Sequence, residues 1–93
     1  MITIVSKPLF PLGRVVATPN ALKTLKPQAI REGLERHAKG DWGDLPPEDA
    51  ERNIEAVDEG SRIFSAYGEG YKRFWIITEA DRSVTTILMP LDY

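Results

Sequence analysis

Apolar positions along this 93-residue chain follow two periods, and the change from one to the other divides it. The stretch RVVAT, Arg14 to Thr18, is β-branched and reads as a strand. Thr18 before Pro19 is a helix start, a hydroxyl cap followed by a residue whose missing N–H costs nothing there. That helix must be short, because Pro27 disfavours helical geometry at Lys26. Pro27 opens a second helix to about Lys39, with Gly40 as its left-handed stop. Ile30, Leu34 and His37 recur at i, i+4 and i+7 on it and share a face. LPPEDAERNIEAVDEG predicts a third helix, with Pro47 in its first turn, Gly60 after its end and a narrow apolar stripe of Ala50, Ile54 and Val57.

From residue 61 the period becomes two. SRIFSAY, KRFWIIT and SVTTILM are aromatic and β-branched, separated by turns at GEG (68–70) and EAD (79–81). Alternation puts Phe74, Ile76 and Thr78 on one face and Arg73, Trp75 and Ile77 on the other. Val84, Thr86 and Leu88 share one face of the last strand; Ser83, Thr85, Ile87 and Met89 share the other. Both faces are fairly apolar, so the second face calls for a cover, either the N-terminal segment or a partner chain. The order predicts an α+β domain: a first strand and two or three helices packed on a mainly antiparallel sheet that ends in a three-stranded meander. The length fits one domain, residues 1–93, with 1–12 as a loosely attached or partner-contacting arm.

Composition removes several chemistries. The absence of cysteine excludes disulfides, thiolate catalysis and thiolate zinc sites, and a single histidine excludes a multi-histidine metal site within one chain. Neither a metal nor a cofactor is expected. No apolar run is long enough to span a membrane, and MITIVSKPLF is broken too early by Pro8 for a signal peptide, so a cytoplasmic location is expected. The net charge of −2 conceals a polarity: residues 1–40 carry a net +5, residues 41–60 a net −7, and residues 61–93 balance. Such a pattern suits a basic face for a polyanion beside an acidic element, or two segments that pair with each other or simply solvate.

His37, in RHAKGDWGD, is the one side chain that titrates near neutrality unperturbed. On the sheet-facing side of its helix it can be a general base, or a core histidine satisfied by a strand hydroxyl or a backbone carbonyl. Arg36, Arg62, Arg73 and Arg82 are the cations expected near a helix–sheet groove, where a guanidinium fork suits phosphate; the alternative is surface pairing with the acidic third helix. Ser83, Thr85 and Thr86 offer hydroxyls on the last strand, or serve β-propensity alone. Asp41 and Asp44, with Glu48, could hold a hard cation, although the spacing lacks a full loop of oxygen ligands. The competing expectation is that Asp44 caps the third helix and Asp41 solvates its turn. Trp42, between two glycines, could stack on a base or fold over the core edge as a lid.

RHAKGDWGD and WIITEADRSVTTILMP, with SRIFSAY between them, resemble a functionally uncharacterised family of small bacterial proteins labelled plasmid-related, found on plasmids and integrating elements. The likeness spans roughly residues 13–93. More distantly, the layout resembles the barnase–EndoU–colicin–RelE superfamily of metal-independent ribonucleases and toxins. That likeness implies His37 as acid or base, Thr85 or Thr86 as the polar residue of the final strand, and Arg62, Arg73 or Arg82 on phosphate. An acidic net charge departs from the positive field that suits an RNA-cutting domain. Three readings follow, in order. The first is a small accessory or binding protein of a bacterial mobile element, with a protein partner or homodimer; Trp42, Tyr67, Tyr71 and Trp75 would carry contacts if exposed. The second is a RelE- or barnase-like ribonuclease acting on RNA through His37. The third is an acidic inhibitor or antitoxin-like protein using the 41–60 segment.

Overall fold

The computed structural model describes residues 7–93; residues 1–6, half of the expected N-terminal arm, lie outside the described residues. The elements are β1 (Arg14–Ala17), α1 (Pro19–Thr24), α2 (Pro27–Ala38), α3 (Pro47–Glu59), β2 (Ile63–Tyr67), β3 (Phe74–Thr78) and β4 (Val84–Leu88). The α+β reading holds. The meander β2–β3–β4 is antiparallel, and β1 pairs with β4 in parallel, giving one four-stranded mixed sheet in the order β1-β4-β3-β2. The first strand therefore lies beside the last. Parallel partners need a crossover, and here the three helices and two strands of the meander supply it.

Local chemistry sets the helices. Thr18 caps α1, its hydroxyl accepting from the Ala21 N–H at 3.1 Å, and Leu25 is already extended at the far end, two residues before Pro27. α3 ends at Gly60 in the left-handed conformation. Gly33 of α2 stands where a Cβ would come within 2.9 Å of the Phe74 ring, so its bare backbone lets the helix settle onto β3. Leu34, His37 and Ala38 complete the buried stripe.

Two clusters make the core on the helix side of the sheet. Ala21, Leu25, Leu34, Tyr67, Phe74, Ile76, Ile87 and Met89 form the larger one. Phe10, Trp42, Ala56 and Ile63 form the second. Residues 7–12 are thus held to the body: Phe10 is buried, and the Leu9 N–H donates to the Ala38 carbonyl at 2.8 Å. On the opposite face Ile77 and Leu88 are buried, and Phe64, Trp75 and Tyr93 make successive ring contacts at 4.9 and 5.7 Å.

Two details of the expected α3 need correction. Ile54, expected in its apolar stripe, is 62% exposed, while Asn53 and Ala56 are the buried positions. Asp44 does not cap the helix. Pro46 is the cap residue, without a side-chain bond, and Asp44 instead accepts from Arg73 at 2.9 Å. Asn53 is buried for a specific reason. Its amide donates to the Phe64 carbonyl at 2.7 Å and accepts from the Phe64 N–H at 3.2 Å, standing in for a neighbouring strand.

Candidate functional site

His37 is fully buried, and its ring closes a chain of hydroxyls that crosses the sheet. Its Nδ1 lies 2.5 Å from Ser65 Oγ on β2, and its Nε2 lies 2.9 Å from Thr78 Oγ1 on β3. Thr78 Oγ1 lies 2.7 Å from Thr85 Oγ1 on β4, which donates to the Leu12 carbonyl at 2.7 Å. Proton counting fixes every direction. A carbonyl only accepts, so the single Thr85 proton goes to Leu12 and Thr85 must accept from Thr78. Thr78 has then used its proton and accepts from Nε2–H. Nδ1 is left with a lone pair, which the Ser65 hydroxyl fills. The result is a neutral imidazole with both nitrogens satisfied.

Electrostatics agree with that count. Burial pushes the His37 imidazole down to about 3, because no carboxylate stands by to offset the lost hydration of its cation. Phe10 meets the ring edge-on at 5.3 Å and Trp42 at 6.0 Å. Trp42, 7% exposed, is the lid of this cluster rather than an exposed stacking surface. Among the described residues no buried side-chain polar atom lacks a partner.

The candidate residues divide into separate groups. Thr85 joins His37 through Thr78, but Thr86 lies on the opposite face of the sheet, since it pairs with Ile77 while Thr85 pairs with Thr78. At the end of α2 the exposed Arg36 and Asp41 lie over Tyr67, which at 2% exposure belongs to the core and offers no contact surface of its own. Arg36 grips Asp41 through two bonds, at 2.7 and 3.1 Å, and its guanidinium lies 4.6 Å over the Tyr67 ring. The Tyr67 hydroxyl donates to the Asp41 carbonyl at 2.7 Å. Arg36 holds the Asp41 carboxyl below the usual range, and burial pushes the Tyr67 phenol up.

The arginines do not converge on one groove. Arg62 donates to Glu79 at 3.3 Å and to the Tyr93 hydroxyl at 3.0 Å; Arg73 bonds Asp44. Arg82 sits at φ 60° with its fork on backbone: Nη2 donates to the Ala56 carbonyl at 2.6 Å, and Nη1 to Ser61 and Glu79 carbonyls at 2.6 and 3.1 Å. It closes the C-terminus of α3. The expected pairing with α3 carboxylates is not what engages these four residues: each has found a loop carboxylate or a carbonyl, because the α3 acids face away from the sheet. Asp41 and Asp44 are each held by an arginine, and among the described residues no group of three or more His, Cys, Asp or Glu is placed to hold a metal ion.

Ser65 and Thr78 were missing from the sequence-derived set, although they carried a readable signal. Ser65, Thr78 and Thr85 are polar positions on an otherwise apolar face, and His37 is the polar position on the apolar face of α2. A second missed region is the surface where α1 meets α2. There a groove of about 290 Å³ has Leu25, Ala29 and Phe74 on its floor and Lys26 and Lys72 on its rim. A neighbouring groove of about 380 Å³ shares Thr24 with it and is lined by Tyr71, 80% exposed, and by Leu91. No protein-family model, curated protein or solved structure matches the chain. No helix among the described residues is long and apolar enough to cross a membrane.

Proposed function

We propose that this protein is a binding module of a bacterial mobile element, and that it recognises an acidic, partly apolar peptide segment of a protein partner. The observation that carries the reading is the paired groove at the α1–α2 junction. It combines an apolar floor, an exposed tyrosine and two lysines with no carboxylate partner of their own among the described residues. Its one carboxylate, Glu32, accepts from Gln28 at 3.1 Å. Aromatic anchors within an apolar patch, rimmed by charge, dominate protein recognition. The mobile-element setting rests on the likeness of RHAKGDWGD and WIITEADRSVTTILMP to the plasmid-related family. A hydrolytic role for His37 is less well supported, because a general base must reach a substrate proton and this ring has both nitrogens engaged inside the core.

The test is fluorescence anisotropy with labelled peptides that alternate acidic and apolar residues. Binding is expected to weaken at least tenfold in Lys26→Glu/Lys72→Glu and in Tyr71→Ala. A parallel incubation with mixed RNA in EDTA addresses the ribonuclease reading. Cleavage by the wild type that disappears in a folded His37→Gln variant would replace the binding reading with that one. A second reading, the acidic inhibitor, is favoured by one observation: Glu48, Glu51, Glu55, Asp58 and Glu59 of α3 are all exposed. Neutralising Glu48, Glu51 and Glu55 would abolish partner capture on that reading and leave it intact on the first.

A further inference from the structure

The two edges of the sheet are treated in opposite ways. On β2 the outward groups of Phe64 are bonded by Asn53. Those of Ala66 are bonded by the flanking loop, its N–H donating to the Trp42 carbonyl at 3.1 Å and its carbonyl accepting from the Asp44 N–H at 2.9 Å. That edge is closed. On β1 the Arg14 and Thr18 N–H groups donate to β4, to the Ser83 and Ile87 carbonyls at 2.9 and 3.0 Å. Alternation therefore turns the N–H and C=O of Val15 and Ala17 outward. Among the described residues nothing bonds them, since β1 is the terminal strand. Val15 is 42% exposed, and neither a proline nor a bulge interrupts this four-residue edge, whose one charge is the exposed Arg14. Arg14 is exposed and has no ion-pair partner among the described residues.

We propose that this edge is the pairing surface for a second copy of the chain, joined antiparallel about a two-fold axis through Val16. The extended run is bounded by Gly13, at φ +64°, and by Pro19, which has no N–H, so Val16 is its midpoint. About that point Val15 of each copy faces Ala17 of the other, and each such pair exchanges two hydrogen bonds, satisfying all the outward groups. Shifting the axis to Val15 would leave Ala17 opposite Gly13, outside the extended run. Charge fits the same register. Arg14 falls opposite Thr18 of the second copy, whose hydroxyl donates to Asp92 at 2.6 Å. Each Arg14 is thereby brought to the carboxylate it lacks in its own chain, twice by symmetry, with no like charges opposed. The product is a continuous eight-stranded sheet with an isologous interface.

The chain has no cysteine, so a lone Val16→Cys is a clean probe. Facing residues at a non-hydrogen-bonded position stand about 4.5 Å apart, within disulfide reach. Mild oxidation is expected to link Val16→Cys into dimers at least tenfold faster than Glu51→Cys on exposed α3. Light scattering of the wild type is expected to give twice the 10.4 kDa chain mass. Val15→Pro removes only an outward N–H and is expected to raise the dimer dissociation constant at least tenfold with unchanged circular dichroism. Arg14→Glu should do the same, and adding Asp92→Arg should restore pairing. A 10.4 kDa species across the micromolar to millimolar range would overturn the proposal. So would a dimer indifferent to both Val15→Pro and Arg14→Glu.

Discussion

His37 shows how far a single residue's role depends on what its two nitrogens meet. The same imidazole near a solvent cleft would titrate close to neutrality; between Ser65 and Thr78 it stays neutral to about pH 3. The linkage has a definite sign. The unfolded chain takes up a proton near pH 6.5 that the folded chain refuses, so stability rises with pH between about 3 and 6.5 and is independent of this group above that window. At pH 5 the expected loss relative to pH 8 is about 2 kcal/mol. Urea unfolding at several pH values checks this, with His37→Gln expected to lose that part of the slope. Truncation is a harsher change. His37→Ala leaves a cavity, takes the acceptor from the buried Ser65 hydroxyl and removes the donor to Thr78, which keeps its bond to Thr85, an expected cost of about 3–5 kcal/mol at neutral pH in the same assay.

At the scale of elements, the β2 edge depends on one side chain from a helix and one tight turn from a loop. Asn53 acts as a peptide group presented sideways, bonding both outward atoms of Phe64. Asn53→Ala would orphan a donor and an acceptor in a half-buried position. The expected loss is about 2–3 kcal/mol, with faster amide exchange at Phe64, measured by denaturation and by hydrogen exchange. Gly43 does the complementary work for Ala66. At φ +73°, with a Cβ position 1.9 Å from the Ala66 carbonyl oxygen, it is the one residue type that can bridge there. These two devices answer an element-level question, namely how an edge strand rich in apolar residues avoids pairing with another chain.

At the scale of the molecule, the N-terminal segment and the last strand determine the architecture together. Phe10 lies under Trp42 and beside His37, and the Leu12 carbonyl terminates the hydroxyl chain, so residues 7–12 help to bury the polar network. Phe10→Ala is expected to cost about 3–5 kcal/mol in urea unfolding and, by admitting water to His37, to reduce the rise of stability with pH between about 3 and 6.5. The charge polarity of the chain survives folding. Arg36 to Asp41 is the one ion pair among the described residues that joins the basic first 40 residues to the acidic stretch, and exposed pairs of this kind contribute little.

The sequence by itself determined the elements, because their signals are local. Thr18, Pro19, Pro27, Pro47 and Gly60 act within a turn of their own positions, and the alternation in the last 30 residues states which side chains share a face. It also placed His37 on a buried helix face among strand hydroxyls. Tertiary structure alone decided which hydroxyls those were, because the register of β2, β3 and β4 selects Ser65, Thr78 and Thr85 and turns Thr86 away. It likewise decided that β1 lies parallel to β4, that Ile54 faces solvent while Asn53 turns inward, and that the four arginines scatter. Those outcomes depend on contacts between residues far apart in the chain, where hydrogen-bond saturation and close packing choose among arrangements that local pattern leaves equivalent.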